Sequence, residues 1–196
     1  MRVVGGRFRG RPLAGPKDPS DQRLRPTSDR VREAVFNVLT HGIPGFSLEG
    51  AKVLDLFAGT GALGVEALSR GASYCLFVEQ DAEARGLIRR NVEAFGLAGI
   101  TRIFRRDAAD LGPAGNRDGF TLLFADPPYG RGLAEKALIA AAEGGWLADG
   151  AIVVIEEAER SKIALPADFK EIDRRVWGST QVVFARFTPA SGKPRS

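Results

Sequence analysis

Short apolar runs rich in β-branched and aromatic residues alternate with 3.6-periodic stretches from residue 50 onward. Ala51–Phe57, Ser73–Glu79, Ile100–Arg105, Thr121–Asp126 and Ala151–Glu156 read as strands. Gly61–Arg70, Ala82–Phe95 and Leu133–Glu143 read as helices lying between them. This alternation predicts an α/β fold, with βαβ units forming a mainly parallel sheet covered on both faces. Phe169–Val176 and Thr180–Phe187 are joined only by Trp177-Gly178-Ser179, which predicts an antiparallel hairpin completing a seven-stranded sheet. The stretch 189–196 lacks apolar periodicity and reads as a frayed tail.

Upstream, Val31, Ala34, Val35, Val38 and Leu39 fall on one helical face, with Thr27 or Ser28 available as N-cap and Gly42 to end the helix. Arg2–Leu13 brackets Gly5-Gly6 and is compatible with a small hairpin. The expected organisation is one domain over 1–196: a basic arm or hairpin (1–24), a leading helix (25–42) and an α/β core (50–188).

Gly59-Thr60-Gly61-Ala62-Leu63-Gly64 satisfies G-x-G-x-x-G between a predicted strand and helix, and Glu79 ends the next strand 20 positions after Gly59. The glycines let backbone approach a ligand, and the carboxylate can accept both ribose hydroxyls. By itself this loop suits a nicotinamide enzyme and a methyltransferase equally. Asp55, four residues before Gly59, shifts the balance. A carboxylate there would repel a pyrophosphate but suits S-adenosylmethionine, which carries a sulfonium and an ammonium group and no phosphate. Asp107-Ala108 follows the third strand, where the carboxylate could accept the adenine amino hydrogens; a plain turn is the alternative. The expected cofactor set is therefore Asp55, Phe57, Gly59, Thr60, Gly61, Glu79, Gln80, Asp107 and Ala108.

Asp126-Pro127-Pro128-Tyr129 follows the fourth strand and projects at the carboxyl edge of the sheet, where open α/β folds bind ligands. Two prolines fix φ and remove two amide donors, so the loop presents acceptors. The Asp126 carboxylate and the Pro127 carbonyl can both accept hydrogens from one exocyclic amine. That helps localise a lone pair otherwise delocalised into the base. Tyr129 offers a face on which an unstacked base can lie. These four residues are the expected catalytic set, for amino-group methylation of either guanine or adenine.

Composition adds a nucleic-acid partner, with a merely solvated arm as the alternative. Residues 1–32 hold nine Lys or Arg against three Asp, a net of +6, whereas the other 164 residues hold 19 basic and 21 acidic side chains. Arg7, Arg9, Arg11, Arg23 and Arg30 are the expected nucleic-acid contacts. One cysteine excludes an intramolecular disulfide, and with one histidine a protein-only zinc site is not expected. No window reaches the length of a signal or a membrane span, so a cytoplasmic protein is expected, with no obligate protein partner.

Together these residues resemble the bacterial 16S rRNA guanine-N2 methyltransferases of the RsmD family. The likeness rests on 25–37 (RPTSDRVREAVFN), 53–64 (VLDLFAGTGALG), 77–79 (FVE) and 126–129 (DPPY), the first being the most family-specific. It implies a Rossmann-like class I methyltransferase acting on a flipped-out guanine in the small ribosomal subunit or its assembly intermediate. It also implies that Arg25 and Thr27 lie near the cofactor's methionine end. One departure is Trp177-Gly178, where the family usually has Tyr-Gly. The competing readings are a DNA adenine-N6 methyltransferase, for which the chain leaves little room for a target-recognition domain, a nicotinamide oxidoreductase, and a non-catalytic ribosome assembly factor.

Overall fold

The computed structural model describes residues 1–16, 27–115 and 119–189. Its strands are β1 (Lys52–Leu56), β2 (Tyr74–Val78), β3 (Thr101–Phe104), β4 (Phe120–Ala125), β5 (Leu147–Ala158), β6 (Phe169–Trp177) and β7 (Thr180–Phe187). Its helices are α1 (Asp29–His41), α2 (Ala62–Ser69), α3 (Ala82–Ala94) and α4 (Leu133–Glu143). The strands form one sheet in the order β3-β2-β1-β4-β5-β7-β6. The first five are parallel to their neighbours, and β7 runs antiparallel to both β5 and β6. From β1 the chain builds outward through β2 and β3, then returns to β1's other side as β4. The switch point of the sheet is therefore the β1/β4 pair, the place where open α/β sheets bind ligands.

Side chains alternate between the faces, as the pleat requires. Val53, Phe77, Leu122, Phe124, Val154 and Phe184 join the core under α1, α2 and α3. Leu54, Leu76, Leu123, Val153, Val183 and Trp146 join the core under α4. Gly64 is required by close packing on the first of these faces: a Cβ there would sit 2.4 Å from the Phe77 ring and 2.6 Å from Cys75 Sγ. Cys75 is fully buried in that core.

Two boundaries differ from the sequence reading. β5 runs from Leu147 to Ala158 rather than from 151 to 156, so Glu156 and Glu157 lie inside it and are buried. The leading helix starts at Asp29 rather than 25, with Ser28 Oγ accepting from Val31 N at 3.2 Å; Thr27 does not cap it. Of residues 189–196, expected to be a frayed tail, 190–196 lie outside the described residues.

The N-terminal arm is a minimal hairpin, paired through an antiparallel bridge between Arg2 and Pro12 with one 3-10 turn at Gly6–Phe8. It docks against α2 and α3. Val4 N donates to Glu66 Oε2 at 2.8 Å, Phe8 N donates to Ser69 Oγ at 3.0 Å, and Phe8 packs on Phe95 with 5.0 Å between ring centroids. Nearer the glycine loop, Asn91 accepts from Ala14 N at 2.7 Å while its Nδ2 donates to Thr60 O at 2.9 Å.

Glu66 is the hub beneath this arm. Its carboxylate is 0% exposed and meets Arg70 Nε at 2.7 Å and the equally buried Arg32 Nε at 3.5 Å. Removing one partner of a buried ion pair leaves an uncompensated charge in low dielectric. Glu66→Ala should therefore destabilise the fold by about 3–5 kcal/mol in urea unfolding. An Arg32→Met/Glu66→Leu double variant should recover part of that loss, because the fully buried Arg32 is no longer stranded, while Arg70, 16% exposed, still loses its partner.

Candidate active site

Three adjacent parallel strands end on acidic side chains facing the same way. Asp55 pairs level with Phe124, Leu56 with Ala125, and Ala125 with Ile155, which sets Asp126 beside Glu156. By pleat alternation Asp55, Asp126 and Glu156 all lie on the α1/α2 side. Glu157 points to the other side, where its Oε1 accepts from Gly130 N at 3.1 Å and Ala158 N at 2.9 Å.

Each acid is held by specific donors. Asp55 is 1% exposed and its Oδ2 accepts from Gly64 N, in the first turn of α2, at 3.0 Å. Burial, opposed in part by that bond and reinforced by Glu79, pushes its carboxyl up to about 8. Thr27 Oγ1 lies 3.1 Å from Asp126 Oδ2 and 2.9 Å from Glu156 Oε2. Burial and the negative charges of Glu156, Asp55 and Glu157 push the Asp126 carboxyl well above the usual range, with the Thr27 bond opposing them. Tyr129 OH donates to Glu156 Oε1 at 2.9 Å and lies 3.5 Å from Thr180 Oγ1. Desolvation and Glu156 raise its phenol, so it stays neutral and acts as a donor. Its ring remains 38% exposed at the edge.

The glycine loop turns sharply above β1. Phe57 has φ 57°, the one non-glycine residue with positive φ among those described, and such strained conformers concentrate at ligand sites. Gly61 follows with φ 75°, and its N–H donates to Ala58 O at 2.7 Å. A Cβ on Gly59 would meet nothing closer than 3.9 Å, so the loop opens outward there. Glu79 ties the loop to the next helix, its Oε2 accepting from Gly59 N and its Oε1 from Asp81 N, both at 2.8 Å.

The remaining expected site residues also have contacts of their own within the protein. Asp107 builds a turn, its Oδ1 accepting from Ala109 N at 2.8 Å, and the Ala108 side chain is buried in the α4 core. Thr60 is buried, with its carbonyl bonded to Asn91 and its hydroxyl 4.0 Å from Met1 Sδ. Gln80 is exposed beside Glu79, and Arg85 donates to its carbonyl. Pro127 is buried while Pro128 is exposed.

The expected RNA contacts divide. Arg30 is exposed in the first turn of α1, next to Thr27 and the acidic edge. Arg7 lies instead on the hairpin turn docked at the C-terminal end of α2, a helix of eight residues and thus about 12 Å long, and Arg11 lies at the C-terminal end of α3. There Arg7 stacks over Phe8, and Arg11 stacks over Phe95 and donates to Ala94 O at 2.6 Å. Arg9 is exposed on the same hairpin. Arg23 and Arg25 lie outside the described residues.

Glu156, Glu157 and Thr180 belong to this site and sequence reasoning missed them. The available signal was the pair of carboxylates directly following the run Ile152–Ile155, on a strand neighbouring the one that ends in Asp-Pro-Pro. Among the described residues no cluster of His, Cys, Asp or Glu could hold a metal ion, and no helix is long and apolar enough to cross a membrane.

Comparison with known proteins agrees with this geometry. The family model described as Conserved hypothetical protein 95 matches residues 1–186. Ribosomal RNA small subunit methyltransferase D of Escherichia coli K12 is 37% identical over 179 residues, covering 91% of this chain and 85% of that protein. A solved candidate methyltransferase from Escherichia coli superposes with a TM-score of 0.79 at 32% identity, over 96% of this chain and 98% of that one. An RNA methyltransferase from Salinibacter ruber, in complex with S-adenosyl-L-homocysteine, shares the fold with a TM-score of 0.63 at 16% identity, over 87% and 97% of the two chains.

The raised Asp55 carboxyl carries a pH signature. The folded ligand-free chain holds this proton more tightly than the unfolded chain does, so its contribution to stability is present below about pH 4, the ordinary carboxyl range, and is lost as pH climbs through about 8. Asp55→Asn keeps an acceptor for Gly64 N and removes the titration. Urea unfolding from pH 5 to pH 9 should show wild-type stability falling more steeply with pH than that of the variant. Parallel curves would show that Asp55 does not titrate there.

Proposed function

Because the chain belongs to the RsmD family of small-subunit rRNA methyltransferases, we propose that it methylates the exocyclic N2 amine of one guanine in 16S rRNA, presented by the small subunit or its assembly intermediate. S-adenosylmethionine-dependent rRNA methylation is the family's activity; the base, the atom and the residues that serve them are the proposal. What supports it most directly is the Asp-Pro-Pro-Tyr turn, seated at the β1/β4 switch point and tied through Thr27 to the family-specific segment that begins α1.

The residues present fit the cofactor. An edge lined by Asp55, Glu79 and Asp126 suits a ligand bearing sulfonium and ammonium charges and opposes a pyrophosphate, which weighs against the nicotinamide reading. Gly59 opens outward beside Glu79, which retains lone pairs for ribose hydroxyls on both its oxygens. Asp55, Phe57, Thr60, Gly61, Gln80, Asp107 and Ala108 complete the proposed cofactor surround, several of them through backbone, and Arg25 and Thr27 close its methionine end. When bound, S-adenosylmethionine supplies an electrophilic methyl group whose departure leaves a neutral thioether.

The protein's part is to prepare the amine. Thr27 fixes Asp126 Oδ2, so Oδ1 is the free edge that accepts an amine hydrogen. The Pro127 carbonyl accepts the second, and Pro128 keeps the turn rigid without adding donors. With both hydrogens held, the nitrogen lone pair is directed out of the base plane toward the methyl group. Tyr129, anchored through its hydroxyl by Glu156, offers its ring face to the flipped guanine. Arg30 meets phosphate near the start of α1, while Arg7, Arg9 and Arg11 meet it on the hairpin docked at the C-terminal ends of α2 and α3.

Asp126→Ala should abolish turnover on 16S rRNA while S-adenosylmethionine affinity, measured by calorimetry, stays within a few fold. Equal loss of both would contradict the assigned role. Mass-spectrometric mapping of 16S rRNA from cells lacking the protein should show one missing N2-methylguanine; a missing methyladenine, or no change, would reject the base assignment or the activity. Charge reversal at Arg7, Arg9 and Arg11 together should weaken RNA binding and reduce the log–log salt slope by about one per lost phosphate contact. An unchanged slope would show that RNA does not reach the arm.

A further inference from the structure

Methylation of an exocyclic amine leaves a proton to dispose of. The nitrogen lone pair forms the new N–C bond, the C–S electron pair stays with sulfur, and the nitrogen sheds one hydrogen as a proton. An ordinary aspartate, with a reference pKa of about 3.9, is a poor acceptor for it. We propose that Glu156 is a positioning residue acting through Thr27, fixing the Asp126 carboxylate and making Asp126 Oδ1 the acceptor of that proton; this rests on the methyltransferase reading above.

The case begins with a count of hydrogens. Thr27 Oγ1 lies within hydrogen-bond distance of both Asp126 Oδ2 and Glu156 Oε2, at 3.1 and 2.9 Å, yet a hydroxyl has one hydrogen to give. Both contacts are hydrogen bonds only when one of the two carboxyls carries a proton and donates it to Thr27. Tyr129 OH already donates to Glu156 Oε1, which favours the ionised form of Glu156 and assigns the proton to Asp126. The resting chain is then Asp126 carboxylic acid to Thr27 hydroxyl to Glu156 carboxylate; when Asp126 ionises, the hydroxyl turns to donate to its Oδ2, the bond that opposes the raised proton affinity.

Electrostatics point the same way. Among the described residues, the charged groups that act on Asp126 are Glu156, Asp55 and Glu157, all acidic, and burial adds to their effect. Of these, Glu156 is the nearest in effect and the one sharing a hydroxyl with Asp126. A like charge behind a carboxylate raises its proton affinity, which brings a general base closer to its operating pH. In turnover, the resting proton leaves Asp126 to solvent before the amine docks on the ionised carboxylate, and the same neighbour that makes ionisation costly makes the proton released by the amine welcome. A Glu that merely filled a strand end would be replaceable by Gln without moving any titration.

The test uses Glu156→Gln, which preserves size and the acceptor for Tyr129, turns the oxygen facing Thr27 into a donor amide, and removes the charge. Labelled-aspartate carbon NMR, or difference infrared spectroscopy of the carboxyl band using Asp126→Asn to assign it, follows Asp126 in the ligand-free protein. The Asp126 midpoint should fall by at least one pH unit in Glu156→Gln. In single-turnover methylation of 16S rRNA particles the acid limb should move down by a similar amount, and the plateau rate should drop roughly tenfold or more, with S-adenosylhomocysteine affinity unchanged. Glu156→Asp should restore part of the shift, and Thr27→Val, which keeps the charge and cuts the link, serves where Glu156→Gln does not fold; it should slow turnover while the Asp126 midpoint stays high. A wild-type midpoint and acid limb in Glu156→Gln would overturn this proposal alone. A wild-type protein that transfers no methyl group to any rRNA would overturn the methyltransferase reading, whatever the Asp126 titration showed.

Discussion

A parallel sheet buried on both faces can carry polar chemistry only where its strands end, and here three neighbouring strands end on carboxylates. Asp55, Asp126 and Glu156 converge on one side of β1, β4 and β5, and the described donors around them are the Gly64 amide, the Thr27 hydroxyl and the Tyr129 phenol. Gathering like charges in a poorly hydrated place costs stability, and two of these carboxyls respond by holding protons more tightly. That cost makes functional sense under the proposed roles, in which the site attracts a cationic cofactor, repels phosphate from the cofactor groove, and collects a proton once per turnover. Most of the surrounding architecture keeps these three side chains aligned.

Alignment is achieved by elements distant in sequence. Gly64 belongs to the first turn of α2 and is pulled close to β2 by the absence of a Cβ, which brings its amide within reach of Asp55. Thr27 stands just before the cap of α1, and α1 in turn packs Val35, Phe36 and Leu39 into the same core as Phe124. The N-terminal hairpin completes the tie. Through Glu66 it is fastened to α2, and through Asn91 it is fastened to α3 and to the glycine loop at Thr60. A displacement of the arm by RNA would therefore be felt at the loop through two short hydrogen bonds on one amide side chain.

Much of this was legible beforehand. Helices and strands with strong periodicity fell within a residue or two of their predicted bounds, and Leu133–Glu143 coincided, because each buries a regular apolar face. The difficulties lay where a residue serves the site rather than its element. Glu156 and Glu157 looked like the polar end of a strand, whereas the strand continues through them, since both carboxylates are buried against donors from other segments. Thr27 looked like a helix cap equal to Ser28, and nothing in its neighbours distinguished the two. Asp107 had the right position after the third strand, yet one of its oxygens is spent on its own turn, as short acidic side chains often are.

What the sequence alone determined was the chemistry of each local segment. Apolar periodicity specified the strand–helix alternation, the glycines specified a loop that backbone could close tightly, and Asp-Pro-Pro-Tyr specified a rigid turn of acceptors, because each of these depends on neighbours along the chain. Only the tertiary structure decided which acids share a hydroxyl, where the basic arm lies, and that its arginines sit at the C-terminal ends of α2 and α3, away from the reacting edge. Those facts depend on strand order and register, which bring residues 27, 126 and 156 within bonding distance, set residue 55 on the neighbouring strand, and carry residues 7 and 11 away. Charge counts by segment could not see this, since electrostatics acts through space and sequence separation says nothing of it.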